Sequence, residues 1–165
     1  MSNSVSLLSR PALALGFILL LLGLDQAIKY AVEVLLPLQE QIDVVPMLGL
    51  YLYRTHNLGV AFSMLSHLDS WVIIVLRLVI VLFVAWLWRG TRADHRFAQA
   101  GYCLIIAGAF GNIIDRFTYG YVVDYILFHT ETWSFAVFNL ADSLISIGAG
   151  LILLQELMVW LSSRR

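Results

Sequence analysis

Four runs of apolar residues, at about 11–35, 71–88, 97–114 and 140–161, each approach the roughly 20 residues a helix needs to cross a hydrocarbon core. No other feature restricts the fold as strongly. In lipid every backbone N–H and C=O must be satisfied within the segment or a closed barrel, so runs of this length become helices. The composition agrees, with 61% hydrophobic and 13% charged residues, about half the charge of an ordinary soluble domain. The expected fold class is an α-helical integral membrane protein with four transmembrane helices. No repeat, low-complexity tract or flexible linker interrupts residues 1–165, which read as a single domain. Arg10 ahead of the first run resembles the start of a signal peptide. No small-x-small cleavage site follows that core, so it reads as a retained span.

Orientation follows from the arginines. With four crossings, Arg10, the cluster Arg89, Arg92 and Arg96, and the terminal Arg164 and Arg165 fall on one side. Glu40, Asp43, Asp69, Asp124 and Glu131 fall on the other. The positive-inside rule then puts both termini and the 89–96 connector in the cytoplasm, and the loops at about 36–70 and 116–138 outside. Within the outer loops, "QIDVVP" and "LYLYRT" are β-type stretches bounded by Pro46 and Gly49, which predicts a small extracytoplasmic β element on the membrane surface. "HNLGVAFSML" predicts a short amphipathic turn or helix before the second span, completing a loop/helix cap. Arg77 lies inside the second span, where it either snorkels or faces a partner.

The net charge of −1 and the lack of a basic stripe exclude a nucleic-acid partner. One cysteine, Cys103, and four scattered histidines leave no disulfide framework and no metal or cofactor site.

The polar residues fall at one depth. Asp25 is fourteen residues after Pro11, about 21 Å along a helix and so near the outer boundary. Lys29 follows at i+4, placed to pair with it. Asn112, Asp115 and Arg116 share a face at the outer end of the third span, and Asn139 and Asp142 open the fourth. A water-filled pocket at the outer interface is the simplest way to tolerate them together. Bland readings compete: a helix-end ion pair for Asp25 and Lys29, and a capping-box variant for Asn139 and Asp142. Gly101, Gly108, Gly111, Gly148 and Gly150 suit close helix packing better than a ligand cradle. Asp124 resists such readings. It caps no obvious helix, has no close partner of opposite charge, and interrupts an apolar aromatic run.

Five blocks then carry a resemblance: "DQAIK" at 25–29, "NLGVAF" at 57–62, "GAFGNIIDR" at 108–116, "VVDY" at 122–125 and "FNLADS" at 138–143. In order and spacing the chain resembles the bacterial lipoprotein signal peptidases, the signal peptidase II family, along nearly its whole length. Ile28, Ala107 and Tyr125 depart from the usual residues without touching a polar group. The resemblance implies an aspartyl endopeptidase of the inner membrane. It would remove the signal peptide from diacylglyceryl-prolipoproteins, cutting just before the lipidated cysteine. It implies Asp124 and Asp142 as the catalytic dyad, with Asp25, Lys29, Asn57, Gly59, Gly108, Asn112, Asp115, Arg116 and Asn139 as pocket residues. Membrane lipids and the cyclic peptide globomycin are the other partners it implies.

Two carboxyls sharing one proton can hydrolyse a peptide without metal, serine or thiol, because close like charges cannot both ionise. Asp142, in the first turn of a helix, is favoured as the anion. Asp124, among Val, Tyr, Ile and Leu, is the expected holder of the proton. The 116–137 segment, with Gly120, is the candidate for a mobile lid. Two other functions use the same residues: a small proton-coupled carrier with the acids as a relay, and a non-catalytic factor that binds signal peptides. Relays place carboxyls near the midplane, often in repeated halves, and this sequence shows neither.

Overall fold

The computed structural model describes residues 5–59 and 70–164. The four expected spans are helices: α1 (Pro11–Leu35), α2 (Ser70–Arg89), α3 (Arg96–Thr118) and α4 (Leu140–Ser163). Each is long and apolar enough to cross a membrane. Pro11 opens α1 at a position where its missing N–H costs nothing. The helix stops at Leu36, ahead of Pro37. α3 continues four residues past the expected end, carrying Asp115 and Arg116 within its last turn.

α3 is the central helix. Its most apolar window is 67% buried, against 17–22% for the other three, which leave most of their surface to lipid. Small residues make this position possible. A Cβ on Gly101 would overlap the backbone carbonyl of Gly148, one on Gly148 the carbonyl of Gly101, and one on Gly108 the carbonyl of Ala141. The α3 and α4 backbones therefore meet directly, the close approach that small residues allow in lipid. Gly150 does not belong to this seam; nothing lies near where its Cβ would be. α2 packs on α3 through Ile74 and Val81 against Ala109 and Ile113.

A three-stranded antiparallel sheet covers one end of the bundle, in the order β1 (Gln41–Val45), β2 (Leu50–Asn57), β3 (Val122–Phe128). The first two strands are the expected β element, paired as a hairpin. Gly49 closes it at φ 68°, and a side chain there would strike the carbonyl of His129. β3 corrects the sequence reading. Part of the segment expected to be a mobile lid is a buried strand, paired with β2 from Leu50↔Phe128 to Asn57↔Val122. Val123 and Tyr125 pack with Val32 of α1, and Ile28 joins the same cluster. Arg54 of β2 donates to the carbonyls of Glu33 (3.0 Å) and Leu36 (2.9 Å) and pairs with the Glu33 carboxylate (2.7 Å), capping the end of α1. The amphipathic element expected at 56–65 lies largely outside the described residues.

At the opposite end, the Ser6 N–H donates to the carbonyl of Ala93 at 2.8 Å, joining the N-terminal segment to the α2–α3 connector. Replacing Gly148 by valine should force α3 and α4 apart and cost about 1–3 kcal/mol. A lowered thermal unfolding midpoint in detergent reads this directly, whereas Gly150→Val should leave it unchanged.

Candidate active site

Lys29 sits at the centre of a buried ionic cluster beneath the sheet. Its Nζ lies 3.0 Å from Asp25 Oδ2, 2.8 Å from Asp115 Oδ2 and 2.9 Å from Asn112 Oδ1, so all three ammonium protons have acceptors. The side chains of Lys29, Asp25 and Asp115 are no more than 1% exposed. The other oxygens are also used. Asp115 accepts from Gln26 Nε2 (2.9 Å) and from the backbone N–H of Val123 (3.1 Å), which fixes the start of β3 on α3. Asp25 Oδ1 accepts from the N–H of Ala141 at 3.0 Å.

That last bond is one of several that finish α4. The first N–H groups of a helix have no partner within it. Here Leu140 donates to Tyr125 Oη (3.2 Å), Ala141 to Asp25 and Asp142 to Asn139 Oδ1 (2.9 Å). The Asp142 carboxylate returns a bond to the N–H of Asn139 (3.3 Å), so the capping box anticipated from the sequence is present. Its members are not merely caps.

Asn139 Nδ2 also donates to Asp124 Oδ1 at 2.6 Å, and Asn112 Nδ2 donates to Asp142 Oδ1 at 2.8 Å. Asn112 Oδ1 faces Lys29 and Asn139 Nδ2 (3.2 Å). The ammonium thus fixes the Asn112 amide so that its NH₂ is turned toward Asp142. Asn57 completes the arrangement. It stands opposite Val122 across β2 and β3, and strand alternation puts Asp124 on the same face, where Asn57 Nδ2 reaches Asp124 Oδ2 at 2.9 Å. Asp124 and Asp142, eighteen positions apart in the chain, are held on a shared amide scaffold.

Their surroundings differ. Asp124 is 2% exposed, while Asp142 is half-buried and lines a cavity of about 800 Å³ with Asn57, Val122, Phe138 and Ser143. Burial pushes the Asp124 carboxyl up to about 7, and the negative charge of Asp142 adds to the rise. Hydrogen bonds from Asn57 and Asn139, together with the Lys29 charge, oppose it without cancelling it. Asp124 therefore takes up a proton as pH falls through about 7.

The remaining sequence-predicted residues divide. Asp25, Lys29 and Asp115 do not line the cavity; they form the buried scaffold behind it, satisfied by protein groups rather than by a common water-filled pocket. Arg116 holds backbone. Its guanidinium donates to the carbonyls of Leu58 (3.3 Å) and Gly59, while the Gly59 N–H donates to Asn57 Oδ1 at 3.0 Å. This clamp sets the turn that carries Asn57. Gly108 serves the α3–α4 contact and is not at the cavity. Gln26, which joins Asp25, Asp115 and the carbonyl of Gly111, escaped the sequence reading, although its place inside "DQAIK" was the available signal. Arg77, left open between snorkelling and facing a partner, lines the cavity. Among the described residues no cluster of His, Cys, Asp or Glu has the arrangement a metal ion requires.

Removing Lys29 would leave Asp25 and Asp115 buried with no cation between them. Lys29→Met is expected to cost about 3–5 kcal/mol. The triple change Lys29→Met, Asp25→Asn, Asp115→Asn should recover part of that loss in thermal unfolding.

Comparison with known proteins gives the same result along the chain. The family model described as Signal peptidase (SPase) II matches residues 17–158. A lipoprotein signal peptidase of Allorhizobium ampelinum is 77% identical over 159 residues, covering 96% of both chains. One from Sinorhizobium fredii is 61% identical, covering 96% of this chain and 94% of its own. One from Brucella ovis is 50% identical, covering 92% and 93%. Two solved structures described as bacterial membrane enzymes share the fold. One, at 26% identity and a TM-score of 0.82, covers 93% of this chain and 91% of that one; the other, at 25% and 0.78, covers 93% and 96%. With the sequence blocks, the four-helix fold and these matches in agreement, the chain belongs to the signal peptidase II family.

Proposed function

We propose that this chain removes signal peptides from prolipoproteins whose cysteine already carries diacylglycerol, cutting just before that cysteine, with Asp124 and Asp142 as the catalytic dyad. The observation that carries the reading is the scaffold on which both carboxyls meet: Asn139 bonds both residues, Asn57 holds Asp124 and Asn112 holds Asp142. Relatives with up to 77% identity are named lipoprotein signal peptidases, which supports the substrate class.

In the proposed reaction the Asp142 carboxylate, reached from the cavity, takes a proton from the attacking water. Asp124 donates its proton to the carbonyl oxygen of the scissile bond as the tetrahedral species forms. Asn112 and Asn139 keep the two carboxyls in place without neutralising either. Asp25, Lys29, Asp115 and Arg116 act through these residues by fixing α4, the Asn112 amide and the turn before Asn57.

Residues 1–165 function as a single domain in this reading, placed in the inner membrane with both termini in the cytoplasm and the sheet end at the outer face. Such a placement meets a bond held at the outer leaflet by acyl chains, and membrane lipids are then the enzyme's permanent neighbours. The apolar walls of the cavity suit a signal peptide. They also suit a competing cyclic peptide such as globomycin. A proton carrier is disfavoured because the clustered carboxyls lie at one end of the bundle, and among the described residues no buried carboxyl continues toward the other.

Asp124→Asn and Asp142→Asn, each tested with a reconstituted diacylglyceryl-prolipoprotein, should lower cleavage by at least about 10³-fold while substrate is still captured. Full activity in either variant would end the peptidase reading. The pH profile supplies a second check. Cleavage should fall as pH rises through about 7, where Asp124 loses its proton. The Asn57 hydrogen bond favours the Asp124 anion, so Asn57→Ala should raise the Asp124 pKa and move this falling limb to higher pH.

A further inference from the structure

α2 presents one cation to the cavity from within the bundle. Arg77 is seven residues into Ser70–Arg89, about 10 Å along the helix axis. Its neighbours Val75, Leu78 and Val79 are exposed on surfaces suited to lipid. Arg77 itself is half-buried and, with Leu76 and Ile80, lines the cavity that also contains Asn57 and Asp142. Asp142 is only two residues into α4, about 3 Å from that helix start. Both helices start at the sheet end, so Arg77 lies roughly one and a half turns deeper than Asp142.

Asp142 is the charge that acts on it most strongly, followed by Asp124 and Asp115, while Arg116 repels it. Among the described residues no acceptor lies within hydrogen-bond distance of its guanidinium. An ionised side chain at such depth is costly and marks a path for ligand.

We propose that Arg77 is a substrate-positioning residue. It receives the unpaired backbone carbonyls at the C-terminal end of the signal-peptide helix, on the membrane side of the bond to be cut. The assignment rests on the peptidase reading above. A peptide bond must leave the helix before the dyad can attack it, so the substrate helix ends just below Asp142. The last four carbonyls of any helix lack an internal partner, and hydrocarbon supplies no water to replace one. The same helix end carries partial negative charge. A guanidinium, with five donors in a planar fork, satisfies several carbonyls at once; an ammonium is a compact point charge. The apolar cavity wall around Arg77 accommodates the side chains of that last turn.

The test uses the full chain in lipid nanodiscs with two substrates: a full-length diacylglyceryl-prolipoprotein, and a lipopeptide beginning only a few residues before the scissile bond, which has no helix end to offer. Arg77→Gln should raise KM for the full-length substrate about tenfold, with kcat changed by less than about twofold. Arg77→Lys should restore part of the loss, and neither change should raise KM for the short lipopeptide. Equal losses on both substrates, or a lowered kcat with a displaced pH profile, would assign Arg77 to the charge balance of the dyad and overturn the proposal. So would an unaltered KM for the full-length substrate. If Arg77→Gln unfolds, Arg77→Lys carries the same comparison, because it retains the charge and loses the fork. A parent enzyme that cleaves neither substrate would remove the peptidase reading itself, whereas the Arg77 assignment fails with the parent enzyme active.

Discussion

The Lys29 ammonium is the contact on which this architecture depends. It draws Asp25 of its own helix and Asp115 of α3 to one point, and Asn112 completes its coordination. Each partner then carries the constraint further: Asp25 to the first turn of α4, Asp115 to the first residues of β3, and Asn112 to Asp142. Three helices and a strand are thereby registered against one another by a single cation. An apolar contact could join the same elements, but its energy is non-directional, and directionality is what sets the angle of an amide or carboxylate. The expense of burying these charges is offset by complete hydrogen bonding, the condition under which a buried ionic group is tolerated.

Around that anchor, two carboxyls of the same type acquire different properties from position alone. Asp124 is enclosed by strand and helix, and desolvation dominates its proton affinity despite two amide donors. Asp142 faces the cavity from the start of a helix, where backbone dipoles favour an anion. Asn139 serves both: its oxygen terminates α4 while its nitrogen reaches Asp124. A residue that would be explained fully as a helix cap is also the link between the acids. The structural and functional readings of this position describe one set of bonds.

Much of this was legible in the chain because lipid simplifies the code. The length of an apolar run gave each helix to within a few residues, and the spacing of Asn112, Asp115 and Arg116 gave their common face. The rest depended on contacts between distant segments. "VVDYILF" is apolar on both faces apart from Asp124, so alternation could not reveal a strand. Its pairing with β2 spans more than sixty positions. The strand inside the expected lid went unread for that reason. The partner of Arg116 was also out of reach, because its acceptors are main-chain carbonyls at Leu58 and Gly59 and side-chain pattern does not record them. Gly108 was read two ways, and only the proximity of the Ala141 carbonyl separates packing from pocket.

The seating of α2 has its own consequence. This helix leans chiefly on α3, through Ile74, Val81, Ala109 and Ile113, and turns most of its remaining side chains outward. Buried ion pairs hold α1 and α3 together, and interlocked glycines hold α3 to α4; among the described residues α2 is held by apolar packing and, near its far end, by one neutral hydrogen bond from Trp88 Nε1 to Gln99 Oε1 (2.6 Å). Sideways displacement of α2 therefore breaks no charge-assisted bond among the described residues, and surrounding lipid tails can refill the apolar surface it uncovers. Under the proposed function the substrate is tethered by its fatty acids, and such a chain cannot arrive through the aqueous side. It needs a doorway in the plane of the bilayer, and the least anchored wall of this molecule stands there.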